Sequence, residues 1–161
     1  RGDGLFCRFE QLLRMSPVLP LACASARFQP VFVGDAVAAF ALALETPSTI
    51  GQRYELGGPH TMTLLEIVQA VLATRGWRRL VVPLGPAASR LIAEVMEHLP
   101  GKPFSRDNYR SASLDSVVPE GVPGLHALGI APTSVASLLP ALLGEMNETA
   151  RHDLRRRHAG R

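Results

Sequence analysis

A tyrosine with a lysine four residues further on is a proton-transfer device, because the ammonium lowers the phenol's pKa until the hydroxyl can give and take a proton near neutral pH. The sequence has two tyrosines, Tyr54 and Tyr109, and one lysine, Lys102, and the residue four before that lysine is His98. That pair is therefore absent from this chain. A dinucleotide site needs a glycine-rich turn between strand and helix, where backbone amides reach the pyrophosphate at the helix N-terminus. Gly2-Asp3-Gly4 has no third glycine at the required spacing, and Gly57-Gly58-Pro59 puts proline where a free amide is wanted. The histidines, His60, His98, His126, His152 and His158, include no His-Glu-x-x-His pair, so no metal site is expected. No Gly-x-Ser-x-Gly elbow presents a nucleophilic serine. Cys7 and Cys23 lack the Cys-x-x-Cys spacing of a redox or zinc site; Cys7 lies on an apolar stripe and reads as a small core residue.

The elements that would have to position these groups follow from hydrophobic periodicity. Leu5, Phe9, Leu12 and Leu13 recur at helical spacing, and Ser16-Pro17 stops them. Residues 19–22 read as a short extended piece, and Phe28 to Val33 as a brief strand running into Gly34-Asp35, with Asp35 placed to cap the next helix. That helix, 36–45, is apolar nearly all round, which predicts burial. Gln52 to Leu56 alternates like a half-buried strand. Thr63-Leu64-Leu65-Glu66 is a capping box with Met62 and Ile67 at the staple positions; it opens a helix that buries Leu64, Ile67, Val68, Val71 and Leu72 and closes at Gly76. Leu80 to Val82 is a short strand, and Pro86 opens a helix with Leu91, Ile92, Val95, Met96 and Leu99 on one face. Residues 106–113 are predicted helical and 119–124 a loop. Thr133 is placed to cap a last helix bearing Val135, Leu138, Leu139, Leu142, Leu143 and Met146, interrupted by Pro140.

The 161 residues are 47% hydrophobic, enough for one domain with a core, and no apolar run reaches the length of a membrane span. Net charge is +3, and the last eleven residues hold five arginines against Asp153. The remainder is therefore not a basic domain, and specific nucleic-acid binding is not expected. Residues 148–161 read as a basic, disordered tail and residues 1–147 as the folded unit. The short, scattered strands cannot make a self-sufficient parallel sheet, which argues for an incomplete α/β fold whose other strands come from elsewhere.

Several segments, taken in order, resemble the carboxy-terminal part of the extended and atypical short-chain dehydrogenases, the NAD(P)-dependent epimerase and dehydratase kind. Gln29-Pro30-Val31-Phe32-Val33-Gly34-Asp35-Ala36-Val37-Ala38 is similar to the segment after the family's catalytic region. Tyr54-Glu55-Leu56-Gly57-Gly58-Pro59 with Thr63-Leu64-Leu65-Glu66 resembles the next block, and Leu128-Gly129-Ile130-Ala131-Pro132-Thr133 the closing one. Arg1-Gly2-Asp3-Gly4 resembles a Gly-Pro-Gly-Asp-Gly turn with Arg1 for proline, and Leu114-Asp115-Ser116-Val117-Val118 an Asp-Asn-Val-Val stretch with Ser116 for asparagine. The pattern is most similar to the branch that contains the nucleotide-binding accessory subunit of respiratory complex I and its bacterial relatives.

The resemblance implies an incomplete NAD(P)-binding Rossmann-type fold, with this chain as the small lobe over the substrate side. The amino-terminal Rossmann half, as partner, would supply the glycine-rich turn and, in catalytic members, the Tyr and Lys. By the same resemblance Gln29, Pro30 and Val31 would lie near the nicotinamide or substrate end of NAD or NADP, and Asp3 at the cleft mouth on the substrate side; a structural role is the competing expectation for Pro30, Val31 and Asp35. The chain alone is expected to be inactive and to bind no cofactor. The intact protein is expected to be either an oxidoreductase or epimerase, or a non-catalytic subunit of a membrane-associated complex, with a cytoplasmic location or a peripheral one at the inner membrane.

Overall fold

The capping box at Thr63 fixes the best-defined element in the chain. In the computed structural model, which describes residues 4–97 and 106–144, the Thr63 hydroxyl accepts from the Glu66 amide, and the Glu66 carboxylate accepts from the Thr63 amide at 2.7 Å. Helix α3 (Leu64–Arg75) starts there, buries Leu64, Ile67, Val68 and Val71, and ends at Gly76 in the left-handed conformation, φ 64°. Because only glycine adopts that conformation without strain, both ends of the helix are encoded locally. The elements before it are α1 (Leu5–Met15), β1 (Val18–Leu21), β2 (Arg27–Phe28), α2 (Val33–Glu45) and β3 (Met62–Thr63). After it come β4 (Leu80–Pro83), α4 (Pro86–Glu97), α5 (Arg106–Ala112) and α6 over 135–144. Single 3₁₀ turns occupy Pro47–Thr49 and Leu125–Leu128.

The architecture is mixed α/β. Strands β1 and β4 pair in parallel, Val18 opposite Leu80 through Leu21 opposite Pro83, joined by the long crossover that carries α2 and α3. Strands β2 and β3 pair antiparallel, Arg27 opposite Thr63 and Phe28 opposite Met62. On the other side of β2, Ser116 bridges Phe28 in parallel, so the segment at 116–118 extends this small sheet. One apolar cluster joins Phe6 and Leu13 of α1, Leu19 and Leu21 of β1, the buried face of α3, and Leu139 and Leu143 of α6. It also encloses an ion pair. Glu10, 4% exposed, receives the Arg75 guanidinium at 2.9 Å, and the same Arg75 nitrogen donates to the Leu143 carbonyl at 2.8 Å. One side chain thus ties α1, α3 and α6 together.

Several expectations are corrected. Helix α1 forms where the spacing places it, but its inward face is Phe6, Cys7, Glu10 and Leu13, leaving Leu5 and Leu12 exposed; pairing with Arg75 is what brings Glu10 inside. The strand expected over 28–33 stops at Phe28, because Val33 already begins α2. Residues 52–56 form no strand; their extended backbone is held by the Glu55 amide donating to the Pro123 carbonyl at 2.9 Å. Helix α2 is not buried. Only Asp35 and Ala39 are, while Val33, Val37, Phe40 and Leu44 are 70, 62, 69 and 90% exposed, since among the described residues it packs mainly against the two 3₁₀ turns. Likewise Leu91 and Val95 of α4 face outward, and Ser89 and Ala93 face in. Asp3, His98, Leu99, Lys102, Met146 and the basic tail lie outside the described residues.

Candidate functional site

Gln29 is where three segments meet. Directly after β2, its backbone amide donates to the Ser116 carbonyl at 3.0 Å. Its side-chain nitrogen donates to the Gly58 carbonyl at 2.8 Å, and its side-chain oxygen accepts from the Val118 amide at 2.9 Å. A primary amide is suited to this position because it offers a donor and an acceptor on one short planar group, and both backbone groups it meets need partners. A carboxylate there would set negative charge against the Gly58 carbonyl.

The two glycines are required by this arrangement. A β-carbon on Gly57 would stand 2.7 Å from the Gln29 side-chain carbon and from Val118, and one on Gly58 would stand 2.0 Å from the Pro30 carbonyl oxygen. Hence the turn over 57–59 lies against the 29–31 segment backbone to backbone. Around it opens a cavity of about 430 Å³ bounded by Gln29, Glu55, Gly58, Val118, Gly124 and His126. A second hollow of about 400 Å³ continues from Gln29, Glu55 and Val118 toward Asp115. The far wall is the segment over 122–127, whose Gly124 would bring a β-carbon to 3.0 Å from the Glu55 carbonyl.

The floor is pinned by two further anchors. Asp115 accepts from the Arg27 amide at 2.8 Å and from the Arg27 guanidinium at 2.9 Å. These bonds, the backbone amide foremost and the guanidinium after it, hold its carboxyl below the usual carboxylate range. Asp35, buried in the first turn of α2, does not cap that helix, whose N-cap residue is Phe32 with no side-chain cap bond. Its carboxylate instead accepts from the amide and hydroxyl of Thr133, at 2.6 and 2.9 Å. Thr133 is therefore engaged with α2 and not available as the expected cap of α6, which begins at 135. The exchange places the closing block 128–133 against α2 and steadies the cavity wall beside Pro132.

Of the site residues expected from sequence, Gln29 lines the cavity, whereas Pro30 and Val31 stand behind it against Gly58 and are not among its walls. Asp3 lies outside the described residues. Glu55 and His126, which sequence reasoning left without a role, also border the cavity; Glu55 is paired with Arg53. The signal for this wall was the Pro123-Gly124 turn, legible only as a loop. Elsewhere, Cys23 has a positive φ of 53°, its amide donates to the buried Ser89 hydroxyl, and burial pushes its thiol pKa up, the opposite of an activated nucleophile. Among the described residues no three His, Cys, Asp or Glu gather to hold a metal. The arrangement is an open recess of mixed polar and apolar lining, with the Gln29 amide, the Glu55 carboxylate and the His126 imidazole among its walls.

No known protein-family profile matches the chain. Its sequence is similar to NADH dehydrogenase (ubiquinone) 1 alpha subcomplex subunit 9, mitochondrial, from three organisms. With the Arabidopsis thaliana protein it is 30% identical over 141 residues, 81% of this chain and 35% of the relative. With the Mus musculus and Rattus norvegicus proteins it is 26% identical over 106 residues, 65% of this chain and 28% of each relative. The chain thus spans about a third of the length of the relatives it matches. The relationship is distant homology to a complex I subunit, at a coarser level than assignment to one family.

Proposed function

We propose that this chain is the substrate-side, carboxy-terminal lobe of an NAD(P)-binding protein of the short-chain dehydrogenase kind, and that α2 packs against the nucleotide-binding half. The observation that carries this reading is the outer face of α2. Val33, Val37, Phe40 and Leu44 recur at helical spacing, all more than 60% exposed, on a helix with no basic residue. A stripe of that kind is stable in water only when something apolar covers it. Similarity to proteins more than twice as long supports a covering element from the same polypeptide. In this reading the other half grips NAD or NADP, and this lobe closes the substrate end with Gln29, Val118 and the turn at 57–59.

The comparisons favour a second statement about the whole protein: that it binds the nucleotide without turning it over and serves as an assembly or stabilising subunit of a membrane-associated complex. Every relative named above is by name a subunit of NADH dehydrogenase (ubiquinone). In this role the chain sits at a membrane's surface; among the described residues no helix is long and apolar enough to cross one. Titration with NADPH and NADH, followed by nucleotide fluorescence, tests both statements. This chain alone should give no saturable signal, and the chain joined to its preceding half should bind without consuming the nucleotide. Micromolar binding to the chain alone overturns the lobe assignment, and turnover overturns the non-catalytic one.

A further inference from the structure

The two sides of the recess around Gln29 are held in different ways. Its floor is fixed within the small sheet, where Gln29 bonds to Ser116, Gly58 and Val118, and Arg27 bonds to Asp115. None of these bonds involves α2. The far wall is a strap over 122–133, which leaves the floor through a turn in which the Val122 amide donates to the Pro119 carbonyl and Gly121 takes a φ of 79°. One end of the strap is fastened where the Glu55 amide donates to the Pro123 carbonyl at 2.9 Å. The other end is fastened to α2, where the Asp35 carboxylate accepts from the amide and hydroxyl of Thr133. Between those points the 3₁₀ turn Leu125–Leu128 packs against α2, and its Leu125 is buried. His126 and Ala127 of that turn, and Pro132 beside Thr133, line the recess. Helix α2 has little else to hold it among the described residues: apart from the 3₁₀ turn that directly follows it, it packs mainly against the strap, while Val33, Val37, Phe40 and Leu44 stand exposed on its outer face. The helix with the uncovered face is also the mount of the recess wall.

We infer that Asp35 couples the two: docking of the preceding half onto α2 draws the strap into its final position and so sets the width of the recess. Asp35 is the positioning residue of this device, and Thr133 is its counterpart. The inference rests on the reading that the preceding half covers α2, and adds that the recess is completed only on docking. Its physical basis is local stability. A helix held on one side opens at small cost, and a strap fastened to it opens with it; covering the outer face removes that freedom from both. A carboxylate suits the clasp because it takes charge-assisted bonds from backbone and side chain of one residue together. By linkage, whatever fills the recess and holds the strap strengthens docking at α2 by the same factor.

Amide hydrogen exchange tests this in the chain alone and in the chain joined to its preceding half. On joining, the hydrogen-bonded amides of Ala127, Gly129, Ile130 and Thr133 should exchange more slowly by roughly tenfold or more, together with those of α2. Asp35→Ala should leave α2 protected on joining but remove most of the gain in the strap. Thr133→Val, which deletes the hydroxyl bond and keeps the amide bond, should reduce the gain, and Thr133→Ser should retain it. A purely structural role would lower protection of the strap equally in both chains; the gain on joining is what coupling predicts. Unchanged exchange at Val68 and Val71 of α3 shows that each variant keeps its core, and Thr133→Val, lying off α2, decides the matter where Asp35→Ala disturbs that helix. Protection of α2 without a gain in the strap overturns the coupling and leaves the lobe reading standing, and so does a full gain in both Asp35→Ala and Thr133→Val. No protection of α2 on joining overturns the lobe reading and the coupling with it.

Discussion

Of the glycines around the cavity, Gly58 has the least room for a side chain. A β-carbon there would overlap a backbone carbonyl, not the movable end of a side chain, so the contact can be relieved only by parting the 57–59 turn from the 29–31 segment. Gly58→Ala is expected to cost about 2–3 kcal/mol in urea unfolding and to loosen the Gln29 bonds with it. Asp115 gives a pH signature. Its carboxyl is held lower in the folded chain than in the unfolded one by the Arg27 amide and guanidinium. That contribution is complete above the ordinary carboxylate value of about 4, and it is lost as the pH falls through the lower folded value. Melting temperatures should therefore decline on acidification below that range, and Asp115→Asn should start lower at neutral pH and decline less. Of these residues Gln29, Gly57, Gly58 and Asp115 stood out in the sequence, but their partners did not. The bonds from Gln29 to Val118 and from Asp35 to Thr133 join positions 89 and 98 residues apart, and no local pattern encodes such a pairing.

Among the elements, those whose ends are set by neighbouring residues were legible and those set by distant contacts were not. The box at Thr63 and the left-handed Gly76 fix α3 whatever surrounds it, and Pro86 and Ser16-Pro17 likewise mark helix boundaries. Glu10 shows the opposite case. Periodicity assigned the inner face of α1 to Leu5, Phe9, Leu12 and Leu13, of which Leu13 is buried and Phe9 packs against the core, yet the helix also turns its Glu10 carboxylate inward because Arg75 waits there on α3. Removing one partner of a buried pair leaves an uncompensated charge, so Glu10→Ala should destabilise by roughly 3 kcal/mol, whereas Glu10→Met together with Arg75→Met should recover much of that. Chemical denaturation of the single and double variants separates these outcomes; equal losses in both would mean that the pair contributes through packing alone.

For the whole molecule, the described residues leave a parallel pair of strands and two helices with large apolar faces in water. Helix α2 is the clearest: its composition predicts a buried helix, yet Val33, Val37, Phe40 and Leu44 are exposed, and the proposed lobe reading accounts for them by a covering surface from the other half. Chains that expose such stripes associate, so the chain by itself should self-associate in light scattering, and Val37→Ser with Phe40→Ser should shift it toward monomer without lowering its melting temperature. The reading as one lobe of a nucleotide-binding protein rests on what covers α2. The most direct measurement is the thiol-labelling rate of Leu44→Cys, with the parent chain as background, in this chain alone and in the chain joined to its preceding half. The account predicts rapid labelling in the first and strong protection in the second. Equal labelling in both would contradict it.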